Sequence, residues 1–551
     1  MSEGIEKIHT DVLIIGSGPV GCTYARLLVE GNAKKKILMV DLGAQLSQKP
    51  GSNAKNIYLY NHSEDGLDAL SQVVKGELTP ASVPALEPWP ETLNPISQPR
   101  IPPVSYAING ENPDQKDWEN MPAGSSSFNV GGMGAHWTCC TPRPTPAERI
   151  PFIPLQEWDE LISRGEELLR TNQISFTESL RGQVVKDSLA RVFDDHLPKG
   201  RKVQMLPLAC HRTNSTWVEW TGADTILGPL AEPGLIPKER FELLPEHICR
   251  KLIVEGDRVI GADIEHLPTR RKYRVIADIV VVAANTLYTP QLLWASGIRP
   301  EALGHYLNDQ PMLFCQVVLK HELLKDIAKR WNPPPLTVDP VPIPINDPIP
   351  NVWIPFSDPE HPYHCQIHRD AFPYSALPDD LGVDHRAIIE LRWFVRKEIS
   401  FKNHISFSEK YKDQFGMPQI TFHYTLSETD QQVINNAFND MTKAAAALGG
   451  YLPGREPAVL PRGSSLHYLG TFRMGETRDP SKCVCDPYSK VWGMDNLYLG
   501  GNGIIPTSTA CNPTLTSVTL ALRACDKILE GWKSTDRGHP QSVSLLDVPK
   551  I

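Results

Sequence analysis

The 551-residue chain has no C-x-x-C pair, no excess of basic residues and no long apolar run, and each absence removes a class of function. Eleven cysteines are present, but neither Cys139/Cys140 nor Cys483 and Cys485 has the spacing of a zinc or thioredoxin-like site. Most are therefore expected to be reduced, buried thiols, and no metal is expected. The formal net charge of −9 leaves no basic footprint for a nucleic acid or an anionic membrane surface. No stretch approaches the roughly 18 apolar residues of a membrane span, and Met1 to Lys7 is charged and poor in apolar residues. The expectation is a soluble chain without a signal peptide, cytoplasmic by default, its compartment otherwise open. The sequons at Asn61 and Asn214 carry little weight, because such triplets arise often by chance. No internal repeat is visible.

The composition, 41% hydrophobic and 22% charged, supports packed cores, and the length calls for two or more domains. Fifty prolines imply long irregular connections, clustered at Pro80 to Pro103 and at Pro333 to Pro350, where eight of 18 residues are proline. Apolar residues from Leu155 to Leu169 recur at helical spacing and predict an amphipathic helix. A hairpin is expected over Lys251 to His266, turning at Gly256-Asp257, followed by a strand from Asp278 to Ala283. The region from about 305 to 460 mixes strand-like runs such as Ala387 to Phe394 with loops and reads as a second domain. After 461 a strand-to-helix unit returns, with a helix from Ser517 to Leu529. The first α/β domain is thus expected to be assembled from discontinuous segments around an inserted sheet domain.

Gly16-x-Gly18-x-x-Gly21 lies between the apolar strand Val12 to Ile15 and a helical stretch, and Asp41 ends the next strand 20 residues after the last glycine. This is the context of a dinucleotide fold. Gly16 suits a tight turn, Gly18 lets pyrophosphate approach the backbone, Gly21 permits helix and strand to pack closely, and Asp41 can take ribose hydroxyls. That motif does not separate NAD from FAD.

The segments HYLGTFRMG and LGGNGIIPTSTACNPTLT resemble the closing signature of the glucose-methanol-choline (GMC) flavin oxidoreductases, and VVVAANTLYTPQLLWASGI resembles the second signature, with Asn285 where glycine is usual. Within that family the pyranose oxidase branch matches more closely, through GSGPVGCTYAR, VGGMGAHWTCCTPR, CQIHRDAFPYS and NPTLT, over nearly the whole chain. The resemblance implies a Rossmann-like FAD-binding domain plus an α+β substrate domain with a large mixed or antiparallel sheet. The expected division is 1–304 for the first FAD-domain segments, with a flavin-attachment loop near 130–143, then 305–460 for the substrate domain and 461–551 for the returning segment.

The same resemblance implies residue roles. His136 would carry a covalent link to FAD, with Thr138 near the flavin edge. His467 and Asn512 match the catalytic pair, an imidazole base for the substrate hydroxyl and an amide beside its oxygen. Gln366, Asp370 and Arg392 would bond sugar hydroxyls, and Phe372 with Tyr374 would belong to a loop over the flavin. Pro373 and Ser375 depart from the expected loop residues. The stretch between Cys315 and Pro342 is much shorter than in the fungal members, so their homotetramer is not carried over and a homo-oligomer is left open. The expected reaction is oxidation of an aldopyranose such as D-glucose at carbon 2, with oxygen or a quinone as acceptor. The rival readings are oxidation at carbon 3 of a sugar or C-glycoside, and a flavin-binding protein without sugar turnover.

Overall fold

A computed structural model describes residues 6–56, 78–81, 112–214, 217–358, 361–368 and 382–536. Asn61, most of the first proline cluster, and Asp370, Phe372, Pro373, Tyr374 and Ser375 lie outside the described residues.

Two seven-stranded sheets organise the chain. In the first, the strand Glu6–Ile15 runs parallel to Ile37–Val40 on one side and to Lys272–Val282 on the other, and Ile37–Val40 pairs with Phe241–Leu244. Val12 to Ile15 and Ile37 to Val40 are wholly buried, as continuous apolar runs must be in a parallel sheet covered on both faces. The helix Pro19–Gly31 packs against Thr514–Asp536, which packs in turn against Leu155–Leu169. The amphipathic helix thus falls at its expected residues, and the last helix is longer than expected, starting directly after Pro513, whose ring suits a helix entry. The expected hairpin is present as His247–Glu255 and Arg258–His266, with Gly256 at φ +61° in the turn. At the far end of Lys272–Val282, Val280 to Val282 pair with Leu497 to Leu499. Residues some 200 positions apart therefore close one sheet, and that sheet is discontinuous in sequence.

The second sheet is antiparallel: Tyr363–His368 lies between Asn351–Ile354 and Ile388–Val395, and the latter pairs with Met312–Leu319. Alternate residues divide its faces. Val352, Ile354, Cys365, Ile367, Leu391 and Trp393 enter one hydrophobic cluster with the helices Leu180–Phe193 and Glu428–Leu448. The intervening Trp353, His364, Gln366, Arg392 and Phe394 point to the opposite face. Residues 180–205, which precede the inserted region in sequence, supply a helix and an edge strand to this layer. The helix Glu428–Leu448 starts on a capping box, with Ser427 and Asp430 bonding each other's backbone N–H at 2.9 and 3.0 Å. All eleven cysteines are buried thiols. Among the described residues no helix is long and apolar enough to cross a membrane.

The second proline-rich crossing is tied down by one buried ion pair. Asp347 accepts from Arg181 Nε at 2.7 Å and from the backbone N–H of Leu180 at 2.7 Å, so one carboxylate both caps the helix Leu180–Phe193 and neutralises a buried guanidinium. Removing one partner of such a pair costs about 3–5 kcal/mol. Asp347→Ala should lower the thermal unfolding midpoint by several degrees, and calorimetry showing an unchanged midpoint would refute the clamp.

Candidate active site

Residues of both sheets line one cavity. Gly16, Ser17, Gly18 and Asp41 line one end, and Gln366, Arg392, Phe394, His467 and Asn512 line the other.

The glycine end has the shape of a cradle. Gly16 holds φ +103°, and a Cβ there would meet the carbonyl oxygen of Ala283 at 2.4 Å. A Cβ on Gly21 would stand 2.0 Å from the carbonyl oxygen of Gly16, so this glycine lets the helix lie against the turn. A Cβ on Gly18 would meet nothing nearer than the Gly131 carbonyl oxygen at 4.0 Å, which leaves that face open to a ligand. The Asp41 carboxylate accepts from Ser17 N and Gly43 N at 2.8 Å each and from Ser17 Oγ at 2.6 Å, and burial pushes its pKa up. A turn, an open backbone face at a helix N-terminus and an acid at the next strand's end fit the pyrophosphate and ribose of a dinucleotide. Asn285 lines the same cavity at φ +76°, a left-handed conformation that glycine adopts freely and asparagine tolerates, so the substitution keeps the backbone path.

In the loop that follows Val130, Gly132, Met133, Trp137 and Thr138 reach the cavity wall. His136 is fully buried and is not among the lining residues; burial pushes its pKa down to about 4, so its ring is neutral.

At the other end, His467 Nδ1 lies 2.7 Å from Oε1 of Gln310. The Gln310 amide nitrogen donates to the carbonyls of Thr509 and Cys511 at 2.9 and 2.8 Å, so its oxygen is the atom turned to the ring. Nδ1 therefore carries the hydrogen and Nε2 holds the lone pair. Asn512 Nδ2 lies 3.2 Å from that Nε2, and Asn512 Oδ1 accepts from Gln366 Nε2 at 2.6 Å. Phe394 stacks beside the imidazole at 5.1 Å, and loss of hydration pushes the ring's pKa down to about 3. Arg392 donates to Glu390 at 2.6 Å, both fully buried. Asp370 and Phe372 fall outside the described residues.

Several groups that brace this end carry no motif. Glu148 Oε1 accepts from Ala510 N and Cys511 N at 2.7 and 3.0 Å, fixing the loop that delivers Asn512. Asp309 accepts from His467 N at 3.1 Å and from the Ser465 hydroxyl, with its pKa pushed up to about 7 by burial. Elsewhere, His361, Cys365 and Asp440 cluster, and Nε2 of His361 faces the sulfur at 3.2 Å while Nδ1 faces the carboxylate at 3.5 Å.

Sequence profiles of the GMC oxidoreductase family match residues 234–312 and 401–521. The chain is 38% identical to a pyranose 2-oxidase of Emericella nidulans over 588 aligned positions, covering 96% of this chain and 94% of the relative. It is 37% identical to a C-glycoside 3-oxidase of Microbacterium trichothecenolyticum over 546 positions, covering 96% and 98%. The fold is similar to that of formate oxidase, with a TM-score of 0.64 at 14% identity, covering 97% of this chain and all of that one.

Because the protein has room for a side chain at position 18, Gly18→Val should fold with unchanged circular dichroism yet purify with less than about a tenth of the wild-type flavin, as a branched side chain blocks the backbone approach. Full flavin content in this variant would remove Gly18 from the cofactor cradle.

Proposed function

The chain belongs to the GMC oxidoreductase family, and on that premise we propose that it is an FAD-dependent sugar oxidase that converts an aldopyranose such as D-glucose to the 2-keto sugar, with oxygen reduced to hydrogen peroxide or a quinone to its hydroquinone. The observation that carries the reading is the fixed tautomer of His467, which lines the cavity with its lone pair on Nε2, 3.2 Å from the Asn512 amide nitrogen. Bound FAD supplies the hydride acceptor. His467 takes the hydroxyl proton at Nε2, and the Asn512 amide holds the same oxygen as charge builds on it. Gln366 and Arg392 on the sheet wall, with Asp370, bind and orient the ring hydroxyls, and Phe372 contributes an apolar contact to the sugar. Gly16, Gly18, Gly21 and Asp41 would hold the dinucleotide, and Thr138 would border the flavin ring. His136, buried and directly preceding the cavity-lining Trp137 and Thr138 in sequence, would carry the flavin covalently through a neutral ring nitrogen.

A second reading, oxidation at carbon 3 of a sugar or C-glycoside, is favoured by one observation. The same 96% of this chain aligns over 546 positions with the C-glycoside 3-oxidase but needs 588 with the pyranose 2-oxidase, so fewer inserted residues separate it from the former. Because polar wall groups favour one rotation of the ring by leaving the wrong one with unpaired partners, the regiochemistry should be sharp. NMR of the product from D-glucose should give the 2-keto sugar; a dominant 3-keto product, or strong preference for glycosides, would select the second reading.

Two further outcomes follow from the assigned roles. Acid precipitation should leave the yellow flavin with the polypeptide and release it from His136→Ala; flavin wholly in the wild-type supernatant would exclude the link. His467→Ala should retain flavin but lose about 10²- to 10⁴-fold in its reduction by sugar. Since burial pushes His467 down to about 3, the ring stays in its base form and the wild-type reduction rate should be flat between about pH 5 and 8. A rising limb near the ordinary imidazole pKa in stopped-flow data would contradict that environment.

A further inference from the structure

On the core side of the second sheet, away from the cavity, three metal-ligating side chains converge. His361 stands just before the strand Tyr363–His368 that carries Cys365, and Asp440 belongs to the helix Glu428–Leu448 packed on that face of the sheet. One nitrogen of His361, the Cys365 sulfur and one oxygen of Asp440 all lie within 4.8 Å of one another. Nε2 of His361 is 3.2 Å from the sulfur, and its Nδ1 is 3.5 Å from Oδ2 of Asp440. The second separation is long for a hydrogen bond. Ligands held about 2.0–2.3 Å from one zinc ion, however, stand roughly 3.3–3.7 Å apart.

The carboxylate is the member of this cluster whose charge is unanswered. Asp440 has a side chain only 15% exposed, and Oδ2 accepts from the indole N–H of Trp393 at 3.0 Å. Among the described residues no lysine or arginine forms an ion pair with it, Lys443 on the same helix acting only from a distance. Burial keeps the His361 ring neutral, its pKa pushed down to about 3, so that ring supplies no positive charge either. A divalent cation would remove the imbalance, because one thiolate and one carboxylate cancel its charge and leave a neutral centre in a buried place. Sulfur and imidazole select a soft or borderline ion such as Zn²⁺ over Mg²⁺ or Ca²⁺, which prefer oxygen alone. Trp393, opposite Cys365 on the neighbouring strand, already orients the carboxylate as the outer partners of metal ligands do.

We propose that His361, Cys365 and Asp440 form a binding site for one thiophilic divalent cation of the zinc class, which clamps the helix Glu428–Leu448 to the second sheet. On binding, a metal–sulfur bond forms and the Cys365 S–H proton leaves to water, while one imidazole nitrogen, one carboxylate oxygen and a water molecule complete four contacts. Closing the widest pair to ligand separation takes about 1 Å of movement. His361, outside the strand, and Asp440, the most exposed of the three, are the side chains placed to supply it. The site lies on the opposite face of the sheet from Gln366 and Arg392 and does not depend on the reaction assigned to the cavity.

Holoenzyme stripped with a chelator and dialysed against ZnCl₂ should retain one Zn²⁺ per chain by elemental analysis. Its unfolding midpoint should rise by several degrees in excess ZnCl₂ and stay unchanged in MgCl₂. Co²⁺ in place of Zn²⁺ should add a thiolate-to-cobalt charge-transfer band to the difference spectrum, and Cys365→Ser should abolish that band. Cys365→Ser and Asp440→Asn should each weaken Zn²⁺ binding by at least the roughly 10- to 100-fold that loss of even an outer partner costs. Trp393→Phe, which keeps all three ligands, should weaken it about tenfold. Asp440→Asn preserves the shape of a partly exposed side chain, so it carries the test if Cys365→Ser does not fold. No retained zinc, a cobalt spectrum without the thiolate band, or the same affinity and thermal shift in the wild type and Asp440→Asn would each overturn the proposal.

Discussion

Much of the site depends on an amide that cannot turn. A buried imidazole serves as a base only if one nitrogen is kept hydrogenated and the other bare, and in a low-dielectric wall the choice falls to the neighbour on the first nitrogen. Gln310 makes that choice because two backbone carbonyls, Thr509 and Cys511, hold its nitrogen. Those carbonyls belong to the loop that presents Asn512, and Glu148 fixes the same loop from the other side through two backbone N–H groups. The base and its partner amide are therefore set by one loop. Displacing that loop disturbs the tautomer and the oxygen-binding group together.

The walls around this loop come from the alternation of one sheet. Gln366 is registered opposite Trp353 on one neighbouring strand and Arg392 on the other, and His364 is opposite Phe394. These polar and aromatic residues share the cavity face because every second residue, from Val352 to Trp393, is committed to the core against two helices. A one-residue slip would exchange the faces and bury Arg392 and Glu390 in that core. The apolar helices thus guard the register of the polar wall.

Much of this was legible in the sequence where a local rule was sufficient. The glycine turn, the acid after the second strand, the helix from Leu155 and the hairpin at Gly256 depend on residues close in the chain, and turn chemistry and periodicity describe them. His467 and Asn512 were visible only through motifs, since nothing in the chain between them, 45 positions apart, signals that they meet. Gln310 and Glu148 had none: a buried glutamine and glutamate look alike whether they brace a loop or a core. The recruitment of residues 180–205 to the second layer was equally hidden, because helix packing depends on apolar faces that many partners could cover.

Burial is what makes these unmarked residues matter. Asp309, Glu148, Glu390 and Arg392 are each at most 2% exposed, and a charge so placed is tolerable only when its bonds are filled. Glu390 is occupied by Arg392 and Gln316, and Asp309 by Ser465 and the backbone of His467. Each pairing spends its acid on holding a wall residue in place, so none of them is available as an alternative base beside the cavity. The desolvation that makes His467 reluctant to hold a proton also keeps water from taking its place.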